Sequence, residues 1–281
     1  NCQNCKNNFV IEPEDFKFYE KIKVPAPTFC PECRLIRRLV WRNERFLYKR
    51  TCDMCQKKII SMYDTDVMFP VYCPECWRSD AWDPLKYGEN YDFDKSFFLQ
   101  FKELFLRVPR SSLWQFGNCI NTKYANFIQD VKNVYLSYST VWSSEDIYYC
   151  SNVDNTKKAI DSYNLKDSEL LYENIGAVKN YNCQYSYWSS NCIDCNFILD
   201  CSNCQNCFGC VNLRNKNYCI WNEQYSKEEY FLKIKKLNMG SYSLVREFYD
   251  KFWSFSLQFP RKYAHIINCI NSTGDEIRDC R

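Results

Sequence analysis

Asn191–Cys210 reads NCIDCNFILDCSNCQNCFGC, with six cysteines in twenty positions and no histidine. Such a run is a metal cluster, a disulfide framework or the interior of something that repeats, and the flanking sequence decides between them. From Asn121 the chain divides, without a gap, into blocks of twelve: NTKYANFIQDVK, NVYLSYSTVWSS, EDIYYCSNVDNT, KKAIDSYNLKDS, ELLYENIGAVKN, YNCQYSYWSSNC, IDCNFILDCSNC, QNCFGCVNLRNK and NYCIWNEQYSKE. The third column runs Lys123, Tyr135, Ile147, Ala159, Leu171, Cys183, Cys195, Cys207, Cys219. The seventh runs from Phe127 and Ser139 to Val211. The ninth includes Val141, Val153, Leu165, Ala177, Cys201 and Leu213, and the eleventh is polar, with Asn155, Asp167, Asn191, Asn203 and Asn215.

A short fixed period with apolar columns and Asn/Gly columns is the signature of a β-solenoid. Twelve residues allow two brief strands and two turns, so the interior is narrow, and a free cysteine fills it as a small hydrophobe. Asn suits the corners because it tolerates left-handed backbone. On this reading the third column forms one buried stack, and the cysteines recur because coils stack. A further metal quartet at Cys192, Cys195, Cys204 and Cys207, or disulfides in an oxidising compartment, stay open as alternatives. Disulfide-filled twelve-residue coils resemble insect antifreeze solenoids, but the flat Thr array of those proteins is missing here, so ice binding is not carried over.

The cysteines upstream follow another rule. Four C-x-x-C pairs occupy residues 2–76: Cys2/Cys5, Cys30/Cys33, Cys52/Cys55 and Cys73/Cys76. Two such turns complete a tetrahedral four-thiolate site of the kind that suits structural zinc. Val24–Cys33, VPAPTFCPEC, is echoed by FPVYCPEC at Phe69–Cys76, so neighbouring pairs belong together. The expectation is two tandem modules of treble-clef or zinc-ribbon type and two Zn2+ per chain, one on Cys2, Cys5, Cys30 and Cys33, the other on Cys52, Cys55, Cys73 and Cys76. Iron in four-thiolate sites is the minor alternative.

After Cys33 comes RLIRRLVWRNERFLYKR, Arg34–Arg50. Apolar Leu35, Leu39 and Phe46 recur at helical spacing on one face. Arg34, Arg38, Arg42, Arg45 and Lys49 recur on another, with Arg37 beside them. Guanidinium groups bind phosphate bidentately, so these six residues are the candidate nucleic-acid contacts. Net charge is only +3, yet residues 1–50 carry eleven Lys/Arg against six Asp/Glu.

The chain is expected to be α+β, with a first zinc module at 1–50, a second at 51–90, a linker and capping helix at 91–120, the solenoid at 121–225, and a helical cap and tail at 226–281. The linker helix, Ser96–Arg107, is expected to bury Phe97, Phe101, Leu104 and Phe105 against a solenoid end. Ser226 with Glu229 forms a capping box that opens a helix to about Asn238. A second helix spans roughly Ser243–Gln258, with Tyr249, Phe252 and Trp253 on its apolar side. Cys269, Asn271, Gly274 and Cys280 then resume the Asn/Cys pattern.

The motifs at Pro25–Arg50, Cys73–Gly88 (CPECW with WDPLKYG), Asn203–Cys219 (NCQNCFGCVNLRNKNYC) and Ser272–Asp275 (STGD) resemble a group of proteins widespread in the ultra-small bacteria of the candidate phyla radiation. Those combine zinc modules with an Asn/Cys-rich β-solenoid. The resemblance covers essentially the whole chain. It implies no activity, and it implies that the native chain extends beyond residue 281.

Catalytic residues are not apparent. There is one histidine (His265), no Gly-rich phosphate loop, no G-x-S-x-G and no clear acid–base pair. Mean hydropathy is −0.53 and no apolar run approaches a membrane span. The sequence points to a non-enzymatic, cytoplasmic zinc protein that binds RNA or a ribonucleoprotein, with a protein-interaction or surface-structural scaffold as the alternative. No small-molecule substrate is indicated.

Overall fold

A computed structural model describes residues 1–40, 43 and 45–280. The chain divides into two compact units, Asn1–Ser112 and Leu113–Arg281.

The first unit holds both C-x-x-C repeats. Helix α1 spans Pro13–Lys21 and α2 Pro31–Leu39. Strands β1 (Tyr48–Thr51) and β2 (Lys58–Ser61) form an antiparallel hairpin around Cys52 and Cys55. Strand β3 (Val71–Tyr72) leads to helix α3 (Pro74–Arg78) and pairs in parallel with β4 (Arg110–Ser111). Helix α4 (Phe97–Arg107) lies between them in sequence. The buried face expected of α4 does not form: none of its residues is buried, and Phe97 and Phe101 are exposed. Their rings instead stack along the helix, with Phe101 stacked in turn on Phe105.

In the second unit, short parallel strands follow one another: β5 (Gln115–Phe116), β6 (Tyr124–Gln129), β7 (Lys132–Val141), β8 (Glu145–Tyr148), β9 (Ser151–Asp154), β10 (Lys157–Ile160), β11 (Tyr163–Lys166), β12 (Glu169–Tyr172), β13 (Ile175–Val178), β14 (Tyr181–Tyr187), β15 (Asn196–Leu199), β16 (Gln205–Val211) and β17 (Asn217–Ile220). The pairing path β7–β8–β10–β12–β14–β13–β11–β9 returns to β7, so eight parallel strands close into a barrel-like ring. The block pattern predicts separate coils. The ring closes because β7 and β14 run unbroken across both ladders, β7 pairing with β8 through its first half and with β9 through its second.

Register within the ring follows the twelve-residue period. Ile147 pairs with Ala159, Ala159 with Leu171 and Leu171 with Cys183; Cys207 pairs with Cys219 further on. Together with Cys195 they lie in one core, all 2 % exposed or less. The uninterrupted count from Asn121 fails at its start, however. Val134 pairs with Ile147 and Tyr138 with Ser151, a step of thirteen. The extra residue falls at Trp142–Ser143, where both residues have positive φ (45° and 59°). Lys123 and Tyr135 therefore face outward, and Thr122 and Val134 take the interior places.

A finer period of three lies inside the twelve. From Asp146 to Trp221 every third residue has positive φ, with Gly at 176 and 209 and Asn or Asp at most of the others. Left-handed backbone costs L-residues about 1–2 kcal/mol each, least for Asn, Asp and Gly. At Gly209 (φ 67°) an added Cβ would meet the Trp221 ring at 2.7 Å. From Ile147 to Cys210 every third residue points inward and is buried.

Many inward residues are polar, and most are satisfied by the neighbouring turn of chain. Ser144 Oγ accepts from Thr156 N (3.2 Å), Ser168 Oγ from Asn180 N (3.0 Å) and Asn180 Oδ1 from Cys192 N (3.0 Å). Each such side chain replaces a backbone bond that the corner geometry cannot make.

Strand β18 (Glu223–Gln224) folds back antiparallel on β17. Helix α5 (Lys227–Ile234) begins with the predicted Ser226/Glu229 capping box and α6 spans Tyr242–Ser256. Rather than capping an end alone, the helices cover an outer side of the strands. Phe252 is fully buried with Tyr185, Phe197 and Phe208, and the Tyr185 and Phe197 rings stack at 4.4 Å.

The chain then runs back along three stacked corners. Asn212 donates to Pro260 O (2.9 Å), Lys262 Nζ meets the buried Asp200 carboxylate at 2.7 Å, and His265 stacks on Trp188 at 5.1 Å. It ends in one more parallel pair, β19 (Ile266–Ile267) with β20 (Ile277–Arg278).

Candidate metal centres and cationic face

Both four-cysteine sets predicted from spacing are assembled. In each, the four sulfurs lie within 4.8 Å of one another. The Cys5–Cys30 sulfurs are 3.7 Å apart and Cys55–Cys73 3.8 Å. A tetrahedron with ~2.3 Å metal–sulfur bonds has edges of about 3.8 Å, so the cages have the right size for a four-thiolate ion.

Local sequence explains the assembly. In each C-P-E-C the first cysteine is the N-cap and the proline is the first helical residue, where its missing N–H costs nothing. Cys30 Sγ accepts from Cys33 N (3.5 Å) and Cys73 Sγ from Cys76 N (3.4 Å). The opposite knuckles turn through Lys6 and Gln56, whose φ values are 66° and 61°. Cys2 Sγ then accepts from Cys30 N (3.3 Å) and Cys52 Sγ from Cys73 N (3.2 Å). Asn4 Nδ2 donates to Cys33 Sγ (3.3 Å).

These donors favour charged sulfur. Burial works against the thiolate at Cys2, but the N–H groups of Cys30, Cys5 and Asn4 outweigh it and bring the thiol down to about 6. Cys52 falls to about 7 in the same way, its donors being Cys55, Cys73 and Met54. Cys5 goes the other way. The Asn7 N–H favours its thiolate, yet burial and the Cys2, Cys33 and Cys30 sulfurs push it up to about 12. Four thiolates this close repel one another, and a cation at the centre removes that repulsion.

Cysteines in the strand region lie against backbone carbonyls. Cys183 donates to Tyr181 O (3.4 Å) and Cys192 O (3.4 Å), Cys195 to Ile193 O (3.2 Å) and Cys204 to Ser202 O (3.3 Å). Neighbouring sulfurs and burial push the Cys195 and Cys201 thiols up, while the Cys192, Cys201 and Cys207 sulfurs bring Cys204 down. The alternative quartet Cys192, Cys195, Cys204 and Cys207 does not converge: among the described residues only the two knuckle sets form such a group. All twenty cysteines are free of disulfides.

The cationic residues are arranged differently from expectation. Helix α2 ends at Leu39, so the single arginine face from Arg34 to Lys49 does not exist. Arg34 is half-buried; Arg37 and Arg38 are exposed on the helix, with Arg37 over the Phe29 ring at 4.8 Å. Arg45 is exposed beyond the helix and Lys49 is exposed on β1. Arg42 lies outside the described residues. On the apolar side, Leu35 is 47 % and Phe46 71 % exposed. Tyr48–Thr51 belongs instead to the hairpin, where β propensity and pairing with Lys58–Ser61 outweigh the helical spacing.

Among the described residues no helix is long and apolar enough to cross a membrane. Comparison with known proteins finds no matching family model, no matching curated protein and no matching solved structure.

Proposed function

We propose that the chain is a non-catalytic, zinc-structured protein of the cytoplasm that binds RNA or a ribonucleoprotein particle, the ribosome included. Zn2+ is the metal the cages suit, one per knuckle set, because four convergent sulfurs leave no open position for catalysis. The second set, with its hairpin before the C-P-E-C helix, fits a treble-clef reading. The strand region is read as a short-coil β-solenoid whose ring closure comes from two long strands; the twelve-residue step of its pairs supports this. It serves as a rigid arm.

The observation that carries the binding role is the exposure of Arg37, Arg38, Arg45 and Lys49 on and just beyond a helix pinned by Cys30 and Cys33. Such contacts read phosphates, so affinity should fall steeply with salt and be largely indifferent to sequence. Absorbance of the purified protein at 260 and 280 nm, before and after a high-salt wash, is the first test. Paired Arg37→Glu and Arg38→Glu substitutions should then weaken RNA retention broadly while metal content stays unchanged. Unchanged retention would overturn the reading. A protein-interaction scaffold is the second reading, favoured by the exposed Leu35, Ile36, Leu39 and Val40 on the same helix.

A further inference from the structure

Cys269 and Cys280 follow the inward rule of the strand region but sit where solvent reaches them. Pairing of Ile266 with Ile277 and of Ile267 with Arg278 carries the two cysteines, each two residues past the second pair, into register. Each sulfur donates to the carbonyl two residues back, Cys269 to Ile267 O (3.2 Å) and Cys280 to Arg278 O (3.3 Å), so both side chains point the same way. Burial and then the neighbouring Cys269 sulfur raise the Cys280 thiol above its ordinary value. Paired parallel strands lie ~4.8 Å apart, inside the roughly 4.4–6.8 Å Cα separation that a disulfide spans.

Outside the knuckles only Cys119 shares the half-exposure of this pair, and the remaining cysteines are buried. Those stacked from Cys183 to Cys219 are 2 % exposed or less, and the knuckle sulfurs are held in the metal cages. Cys269 and Cys280 are both half-exposed.

We propose that Cys269 and Cys280 are a redox-active pair that closes into a disulfide and staples the terminal turn of chain. The oxidant is a small-molecule disulfide such as oxidised glutathione. One cysteine thiolate attacks it, forming a mixed disulfide and expelling one glutathione thiolate. The second cysteine thiolate attacks the mixed disulfide and expels the other. Two electrons pass to the oxidant, which leaves as two thiols, and the two cysteine protons go to solvent and onto those thiols.

The test uses the metal-loaded full chain, incubated with oxidised glutathione, alkylated and digested with trypsin. The expected product joins peptide 263–278, which carries Cys269, to peptide 279–281, which carries Cys280. Zinc content should not change, and the cysteines from Cys183 to Cys219 should react with alkylating agent only after denaturation. In Cys269→Ser the mixed disulfide should persist on Cys280, since nothing resolves it. Recovery of both cysteines alkylated, of two separate glutathione adducts, or of either cysteine joined to another partner in the unsubstituted chain would overturn the proposal.

Discussion

Cys30 and Cys195 are both buried cysteines on C-x-x-C spacings, and they do opposite things. Cys30 accepts an N–H bond and lies 3.7 Å from the Cys5 sulfur; Cys195 donates to Ile193 O at 3.2 Å. Spacing alone does not separate them, because Cys192/Cys195 and Cys204/Cys207 have the same two intervening residues as the knuckles. What differs is the backbone. In the knuckles a turn and a helix N-terminus direct N–H groups at sulfur and bring four sulfurs within 4.8 Å of one another. In the strand region the sulfurs lie against carbonyls with backbone N–H groups close by as well, and among the described residues no four of them converge. Convergence of four sulfurs on one point, which the knuckle turns bring about and the stacked strands do not, decides whether a cysteine is placed to bind metal or to fill a core.

The largest effect that could break this contrast is serine substitution at a knuckle. Structural zinc contributes about 10–16 kcal/mol in small modules, so Cys30→Ser should release one metal and unfold its module. Limited proteolysis and elemental analysis would check this, and the second unit should keep its thermal transition. Next comes Phe252→Ala, which empties the core between α6 and the strands and should cost about 3–5 kcal/mol in denaturant melts. Asn180→Ala strands the Cys192 N–H and the Ser189 carbonyl inside the second unit, a loss of roughly 1–3 kcal/mol. Cys195→Ser should cost less, roughly 1–2 kcal/mol, since a hydroxyl can donate to the same carbonyl. A Cys195→Ser protein that loses metal would erase the distinction.

The smallest effect concerns the tail. The Asp275 carboxyl is held below its usual value, chiefly by the His265 and Glu276 N–H groups. A depressed carboxylate stabilises above its unfolded value of ~3.9 and loses that contribution as pH falls through the folded value. Below pH ~4 the tail should loosen around His265 while the strands persist. The signal is a pH-dependent part of the tryptophan fluorescence that disappears in Trp188→Phe.

Much of this was legible in the sequence. The repeated C-P-E-C units identify both knuckle quartets, and the twelve-residue columns give the pairing from Glu145 to Cys219. The polar part of the interior was not legible by hydrophobic pattern, because Ser144, Thr156, Ser168 and Asn180 are buried as hydrogen-bond partners. Asn, Asp and Gly at every third position (Asn191, Asp194, Asp200, Asn203, Asn206, Gly209, Asn212, Asn215) are the signal that would have revealed the corners. The extra residue at Trp142–Ser143 leaves no compositional trace, so the first two blocks are read one place out. The Arg34–Lys49 face was misread because a basic stretch at helical spacing also suits a helix that stops and a strand that begins.

Metal per chain, measured by elemental analysis on native protein and on a variant with Cys192, Cys195, Cys204 and Cys207 all replaced by serine, tests the contrast most directly. Two zinc equivalents are expected in both proteins, falling to one in Cys30→Ser. Fewer than one equivalent of zinc in the native protein, or a third equivalent that vanishes in the four-serine variant, would contradict it.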